Sequence, residues 1–314
     1  MNSAFPAGYA VRAAQADDMQ AILALAAVCQ AHEYGSSDPA LLGGVELTPG
    51  KPGFDAQRDA WLVETPDGTL AGYAHVSPPE PQLYAHAYVH PDHTGHGIGT
   101  YLARRIEVRA RARLELTEGA SPVRLHQWIE APNTLGHALM EALGYQEVRH
   151  MWGMLIELPE APEAPAWPKG ITVRGCIGED DLRRAHAVVN EAFRDHWNYE
   201  EQSFEQFAAN LIAIPQFDPS LWFLALDGDE VVGAALCEML PDRAWVNDLG
   251  VRRPWRRRGL GLALLRHAFG AFSQRGARVA ALGVDSASLT GATRLYERAG
   301  MHVERQYDVF ERIL

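Results

Sequence analysis

Apolar and polar positions along the chain follow the same order twice. Each half starts with a short β-rich run, at residues 9–12 and 171–174, and continues through an acidic pair into an apolar run of helical period. The acidic pairs at 17–18 and 180–181 stand where carboxylates cap the free N–H groups of a helix start. The pattern predicts a strand followed by a helix at the beginning of both halves.

The order of elements stays the same further along each half. Asp67-Gly68 and Asp227-Gly228 separate β-rich runs, which is typical of hairpins. In both halves a β-rich run then enters a glycine loop that opens a helical run, and Gly259 follows Gly97 by 162 residues. Such a repeat predicts a tandem duplication of an α/β unit of roughly 150 residues.

A segment with proline at every third position, residues 159–168, lies almost at the midpoint of the chain. This spacing favours an extended, solvated spacer. We therefore predict a first domain at 1–157, a Pro-rich linker at 158–169 and a second domain at 170–314. The hairpins followed by βαβ connections predict an α/β fold class, in which each domain is a mixed, mostly antiparallel sheet flanked by helices.

Composition narrows the functional classes. The 314 residues are 47% hydrophobic and 22% charged, which is typical of a globular protein. The sequence has no run of about 18 apolar residues, so no membrane span is predicted. The net charge of −12 argues against nucleic acid as a partner. Three scattered cysteines and an N-terminus without a secretory pattern predict a reduced, cytoplasmic protein.

The loop at residues 256–261, Arg-Arg-Arg-Gly-Leu-Gly, predicts an anion site. It lies between a predicted strand and a predicted helix, so backbone N–H groups and the helix dipole face the ligand. Glycines permit close approach of the backbone, and arginines add charged hydrogen bonds. The loop at 94–99 has the glycines without the arginines.

The second half resembles the GCN5-related N-acetyltransferases, the GNAT superfamily. Their pattern (Gln/Arg)-x-x-Gly-x-(Gly/Ala) is matched by Arg256, Gly259 and Gly261, and residues 291–301 resemble their segment Gly-Ala-x-x-Leu-Tyr-Glu-x-x-Gly-Phe. The resemblance extends to the first half and so covers nearly the whole chain. It implies acetyl-CoA, or another acyl-CoA, as cofactor, and transfer of the acyl group to the primary amine of a small molecule.

The same resemblance implies site residues. Tyr296 matches the tyrosine that protonates the leaving thiolate, although an aromatic residue packing a helix face is the alternative. Asp248 is the candidate base, and Glu238 stays open as another. The implied cofactor-binding residues, which would hold the pyrophosphate and pantetheine, are Leu249, Val251, Arg256, Arg257, Arg258, Gly259, Leu260, Gly261 and Ser288 in the second half and Val89, Gly95, Gly97 and Gly99 in the first.

The first half departs from this pattern. Met140 stands where the second half has Tyr296, and a thioether cannot donate a proton. We therefore predict that this half is catalytically silent, while its CoA binding stays open. His86, His90, His93 and His96 lack a carboxylate or cysteine that would complete a metal site, so contacts to phosphate or solvent are expected and no metal is predicted.

The acceptor is less clear from the sequence. Residues 193–201 combine aromatic side chains with carboxylates, which suits a cationic or partly apolar amine but also a helix–helix loop reaching the core. The two-domain architecture and residues 217–219 resemble the mycothiol synthases, a branch that acetylates a cysteinyl-glucosaminyl-inositol. A non-catalytic, regulatory acyl-CoA-binding protein is the rival interpretation. The oligomeric state, monomer or homodimer, is left open.

Overall fold

The computed structural model describes residues 7–37, 53–77, 83–114, 124–199, 201–212 and 217–314. They form two compact units, one of Met1–His150 with Gln306–Leu314 and one of Met151–Arg305. Both contain a mixed sheet with helices, so the predicted fold class is confirmed. In the described part of the chain, none of the helices has the length and apolar character needed to cross a membrane.

The sheet of the first unit is antiparallel apart from one parallel pair. Its helices are α1 (Met19–Tyr34), α2 (Ala56–Asp59), α3 (Ile98–Leu114) and α4 (Thr134–Ala142). Its strands are β1 (Ala10–Ala13), β2 (Ala60–Glu64), β3 (Leu70–Val76), β4 (Leu83–Val89) and β5 (Arg124–Glu130), followed by the first residues of β6 (Gln146–Glu157). Strands β1 to β4 pair antiparallel in chain order, and β4 pairs parallel with β5.

The second unit repeats this arrangement. Its helices are α5 (Gly178–Phe193), α6 (Phe204–Ile212), α7 (Leu260–Gln274) and α8 (Ala292–Arg298). Its strands are β7 (Ile171–Gly175), β8 (Trp222–Asp227), β9 (Glu230–Met239), β10 (Ala244–Val251) and β11 (Val279–Asp285), and β12 (His302–Ile313) follows. Strands β7 to β10 pair antiparallel in chain order, and β10 pairs parallel with β11.

Each unit completes its sheet with a strand from the other half of the sequence. Residues 307–313 of β12 pair antiparallel with β5, and residues 151–157 of β6 pair antiparallel with β11. Phe310 is accordingly buried in the core of the first unit and Met154 in that of the second. The compact units therefore do not coincide with the predicted domain limits 1–157, 158–169 and 170–314. Those limits describe the repeat in the sequence, and as domain boundaries they stay a prediction. Both strands have similar β-rich patterns, so the sequence does not show which sheet each completes.

The glycine-loop helices are packed alike in the two units. In α7, Leu260 and Leu264 are at most 2% exposed, and in α3 Ile98 and Leu102 are at most 1% exposed. The i, i+4 spacing places each pair on one helix face, and burying such side chains contributes roughly 1.5–3 kcal/mol apiece. Close approach to the sheet also depends on Gly233, where a Cβ would lie 3.0 Å from Leu264 Cδ1. Each glycine loop is therefore followed by a helix whose inner face is packed in the core.

Candidate functional site

Strands β10 and β11 separate halfway along their length. Their parallel pairing covers Ala244 and Trp245 and does not extend to residues 248–251. A bulge between Val246 and Asp248 in the ladder with β9 marks the place where β10 changes register. On its β11 side, this part of β10 therefore has no strand partner in the described structure and can pair with an extended ligand.

The loop after β10 has a backbone suited to an anion. Arg257 and Gly259 have left-handed φ angles of +59° and +85°, and α7 begins directly afterwards at Leu260. No described residue accepts a hydrogen bond from the backbone N–H groups of Leu260, Gly261 or Leu262. These donors and the positive end of the α7 dipole would suit an anion.

The three arginines of the loop differ in their contacts. The Nε atom of Arg256 donates to the Val251 carbonyl at 3.0 Å, and its guanidinium donates to the Ala192 carbonyl at 3.1 Å and to Asp195 at 3.3 Å. Arg256 thus ties the loop to β10 and to the last turn of α5. Arg257 and Arg258 are exposed, and neither forms an ion pair with a described residue. Their charges are the ones available to a phosphate.

A cleft of about 850 Å³ lies beside this loop in the second unit. It brings together most of the sequence-predicted residues of this half, namely Leu249, Val251, Arg256, Arg257, Gly259, Leu260, Gly261 and Tyr296. Asp248, Arg258 and Ser288 are not among the residues that line it. Leu260 is buried, so only its backbone N–H can serve a ligand.

The turn between β11 and α8 explains the position of Ser288. Its hydroxyl lies 2.9 Å from the Thr290 hydroxyl, and its backbone N–H donates to the Asp285 carbonyl at 3.0 Å. Ser288 therefore stabilises the turn, while Leu289 and Thr290 line the cleft. Leu289 is 85% exposed, an unusual position for a large apolar side chain. Sequence reasoning missed both lining residues, although they directly follow the predicted one.

Tyr296 and Asp248 lie close enough to interact electrostatically. Tyr296 is 8% exposed, and burial together with the nearby Asp248 carboxylate raises the pKa of Tyr296 to about 12. Burial raises the pKa of Asp248 to about 6. At neutral pH the phenol therefore keeps its proton while the carboxylate is mostly ionised. The other candidate base, Glu238, lies on β9 opposite Trp245.

The predicted acceptor segment reaches the same region, although Glu200 lies outside the described residues. His196 lines the cleft, and burial lowers its pKa. The Tyr199 hydroxyl donates to Asn190, and burial raises the pKa of Tyr199 to about 12, with Glu201 and Asp248 contributing. Phe193 packs against the core. Phe193 thus fits the interpretation of a loop that reaches the core, while the role of this segment in binding an acceptor stays a prediction.

The first unit retains the backbone of the site. Pairing of β4 with β5 stops after Ala85, so the strand end at Val89 has no partner on that side among the described residues. Gly95 and Gly97 are left-handed, with φ +78° and +84°. A Cβ on Gly99 would lie 3.2 Å from Leu139 Cδ2, as one on Gly261 would lie 2.8 Å from Leu295 Cδ1. The first unit therefore has the same loop backbone, but its loop at residues 94–99 has no arginines.

Met140 occupies the position of Tyr296. Its carbonyl accepts from the Tyr145 N–H at 3.0 Å, just as the Tyr296 carbonyl accepts from the Met301 N–H at 3.0 Å. The Met140 side chain is 2% exposed and packs in the core. Asn133 accepts from the Gly136 N–H at 2.7 Å and so caps α4. The described part of the first unit therefore has no acid at the place where the second unit has Tyr296.

The loop histidines have separate partners. His90 accepts from the Asp92 N–H at 3.2 Å, His93 Nδ1 lies 3.0 Å from the Tyr9 hydroxyl, and His96 Nδ1 lies 3.0 Å from the Thr94 carbonyl. His86 stacks on His75. Within the described ranges, none of the four joins a group of three side chains that could share a metal ion.

Comparison with known proteins agrees with this geometry. A sequence profile of the Acetyltransferase (GNAT) family matches residues 32–145 and 185–301, which is both repeats and more than half of the chain. The chain belongs to the GNAT family of acetyltransferases. GNAT enzymes use acetyl-CoA, and the open strand edge, free helix N–H groups and unpaired arginines of the second unit fit such a ligand.

Individual GNAT relatives cover most of the chain. The mycothiol acetyltransferase of Streptomyces scabiei is 33% identical over 243 residues, which is 74% of this chain and 72% of that protein. A GCN5-related N-acetyltransferase from Sphaerobacter thermophilus superposes with a TM-score of 0.86 at 37% identity, covering 98% of this chain and 96% of its own. A tandem GNAT protein from the clavulanic acid pathway has a TM-score of 0.67 at 16% identity over 97% and 98%, which shows the fold alone.

Proposed function

We propose that the second unit transfers the acetyl group of acetyl-CoA to the primary amine of a small molecule, and that the first unit is catalytically silent. The observation that carries this proposal is that Tyr296 lines the cleft within electrostatic reach of Asp248, at the position where the first unit has Met140. The direct reaction requires both substrates together, so we expect a ternary complex.

The cofactor would be held by groups that the fold leaves open. The N–H groups at the start of α7, with Arg257 and Arg258, suit the pyrophosphate, while the edge of β10 from Leu249 to Val251 suits the amides of the pantetheine arm. Bound acetyl-CoA supplies the acetyl group as a reactive thioester. Arg256 supports the loop and leaves the direct phosphate contacts to its neighbours.

Proton transfer falls to two side chains. Asp248, with a pKa of about 6, accepts the ammonium proton of the acceptor through water, so that the amine can attack as a neutral nucleophile. Tyr296, still protonated at neutral pH, donates to the leaving sulfur. General acid or base catalysis of this kind contributes about 10²–10⁴ in rate.

Among small amines, a cysteinyl-glucosaminyl-inositol of the mycothiol type is the first acceptor to test. The proposal rests on relatives that are named mycothiol acetyltransferase and are 31–33% identical to this chain. The 217–219 segment adds no support, because Asp218 caps a short helical turn and Phe217 packs against Trp222. These residues stabilise the fold, so their resemblance to that branch says nothing about the acceptor.

The decisive experiment measures thiol release from acetyl-CoA with a panel of amines that includes a cysteinyl amino-sugar. We expect turnover with at least one member and a loss of about 10²-fold in Tyr296→Phe. The rival, a regulatory acyl-CoA-binding protein, makes the opposite prediction. Tight binding of acetyl-CoA without release by any amine would favour that rival and overturn the enzymatic proposal.

A further inference from the structure

Two carboxylates and an imidazole lie close together in the first unit, away from the glycine loop. Glu147 and His150 on β6 and Asp308 on β12 have ligand atoms that all lie within 4.8 Å of one another. At the other carboxylate oxygen of Asp308, His137 on α4 places Nε2 3.2 Å from Oδ2. The cluster thus consists of three side chains from two strands, with a helix residue beside Asp308.

Asp308 is at the centre of the group, and its side chain is 6% exposed. Oδ1 lies 2.7 Å from His150 Nδ1 and accepts from Gln306 Nε2 at 2.9 Å. Oδ2 faces His137 Nε2, a buried atom that forms no hydrogen bond within the described structure despite the short distance.

The end of α1 is fixed beside this cluster. The Tyr34 hydroxyl donates to the Gln306 carbonyl at 2.7 Å, and Gln306 Nε2 in turn donates to Asp308. The strand that carries Asp308 is therefore held in place by a helix of the same unit.

We propose that His150, Asp308 and Glu147 bind one divalent transition-metal ion, Zn²⁺ in the first instance. An imidazole nitrogen with two carboxylates suits Zn²⁺ better than Mg²⁺ or Ca²⁺, which prefer oxygen ligands alone. The hydrogen bond from Gln306 orients the Asp308 carboxylate, as outer partners of metal ligands do.

The site is peculiar to the first unit. Thr293 follows His137 by the same 156 residues that separate Tyr296 from Met140, and Met151 occupies the strand position of Asp308 opposite β11. Neither residue offers an imidazole or a carboxylate. None of the three ligands lines the cleft of the second unit, so the proposed ion has a structural role. It links residues that are 158 positions apart in the sequence, His150 and Asp308.

The test uses the full chain, stripped with a chelator and dialysed into metal-free buffer. Zn²⁺ binding is measured by calorimetry and Co²⁺ binding by its visible absorption, with thermal unfolding as an independent readout. We expect about one Zn²⁺ per chain and a higher Tm with Zn²⁺, because an ion that binds only the folded state stabilises it. Asp308→Asn and His150→Gln are expected to weaken binding at least about 30-fold, within the range for loss of one ligand or its support.

Two features keep the result interpretable. His150 is 45% exposed, so His150→Gln is expected to fold even if Asp308→Asn does not. His302→Gln, which removes an exposed histidine of the second unit, is the matched control and should bind as wild type does. A folded wild type that binds no Zn²⁺, or binding that is equal in His150→Gln and wild type, would show that the cluster is an ion-paired group only.

Discussion

The two glycine loops have the same backbone and different side chains. Gly95 and Arg257 occupy the first left-handed position, with φ +78° and +59°, while Gly97 and Gly259 occupy the second, with φ +84° and +85°. A side chain in this region costs about 1–2 kcal/mol, which glycine avoids. The loop of the first unit therefore has little backbone strain, while the loop of the second unit is strained at Arg257 and carries its guanidinium. The two loops share a backbone conformation and differ in the positive charge of their side chains.

The largest expected difference between the loops comes from Gly259→Glu and Gly97→Glu. Both glycines have nearly the same φ, and a Cβ at either would meet no atom within 4 Å, so the two variants carry the same backbone strain. A carboxylate facing the pyrophosphate is repelled, and we expect Gly259→Glu to lower kcat/KM for acetyl-CoA at least about 10³-fold. Gly97→Glu should stay within about threefold.

Thermal unfolding of the two glycine variants is the control, because equal Tm values exclude a general loss of fold. Equal losses of turnover would contradict the assignment of catalysis to the second unit.

The next comparison concerns equivalent positions in two helices, Tyr296 of α8 and Met140 of α4. Tyr296→Phe removes the proposed acid with little change of volume, and kcat is expected to fall about 10²-fold. Met140→Leu is its counterpart and conserves volume in the core, so it should cost less than about 1.5 kcal/mol of stability and leave kcat unchanged. Steady-state kinetics at saturating acetyl-CoA measures both. A large kcat effect at Met140 would show that the first unit takes part in the chemistry.

The third prediction concerns pH. Below the pKa of Asp248, about 6, the proposed base is protonated, so kcat/KM for the amine should fall faster with decreasing pH than protonation of the amine alone requires. Asp248→Asn should lower the rate at pH 8 about 10²-fold and remove this additional limb. A pH–rate profile of both proteins is the measurement. An unchanged acid limb in the variant would point to Glu238 or another group.

The same carboxylate links pH to stability. Because the folded state raises the pKa of Asp248 above its ordinary value of 3.8, the folded protein binds this proton more tightly than the unfolded chain does. Its contribution therefore becomes more favourable as the pH falls from about 6 towards 4, and less favourable as the pH rises through 6. Denaturant titrations of wild type and Asp248→Asn across this range measure the difference.

The smallest expected effects come from exchanging the first left-handed residue between the loops. Arg257→Gly should raise the free energy of unfolding by about 1 kcal/mol through relief of strain, and raise KM for acetyl-CoA by roughly 5–10-fold through loss of a charged contact. Gly95→Arg should lower stability by about the same amount without improving turnover. Denaturant unfolding and acetyl-CoA titration test the pair. An unchanged KM in Arg257→Gly would show that its guanidinium does not reach the cofactor.

The repeat and the phosphate-type loop could be predicted from the sequence because they depend on local rules. Glycine at a left-handed turn, as at Gly259, and the apolar period that begins α7 at Leu260 are both visible in a short window of residues. The match of Met140 to Tyr296 also follows from a fixed offset. These features need no knowledge of which distant segments meet.

Other features depend on distant contacts and could not be predicted. Arg256 has its donors occupied by Val251 and Ala192, which no property of the loop sequence reveals. The raised pKa of Asp248 depends on how deeply the fold buries it. The group around Asp308 assembles from α4, β6 and β12, and no spacing in the sequence marks it.

The exchanged strands affect the order in which the protein can fold during synthesis. A ribosome adds residues far more slowly than helices and hairpins form, so a domain made of contiguous residues can complete itself while translation continues. The first unit lacks this opportunity, because β5 pairs with residues 307–313, which are translated only after the whole second unit. Until then β5 has an unpaired edge and the pocket for Phe310 is unfilled. Deletion of residues 306–314 would therefore damage the half of the protein that is translated first.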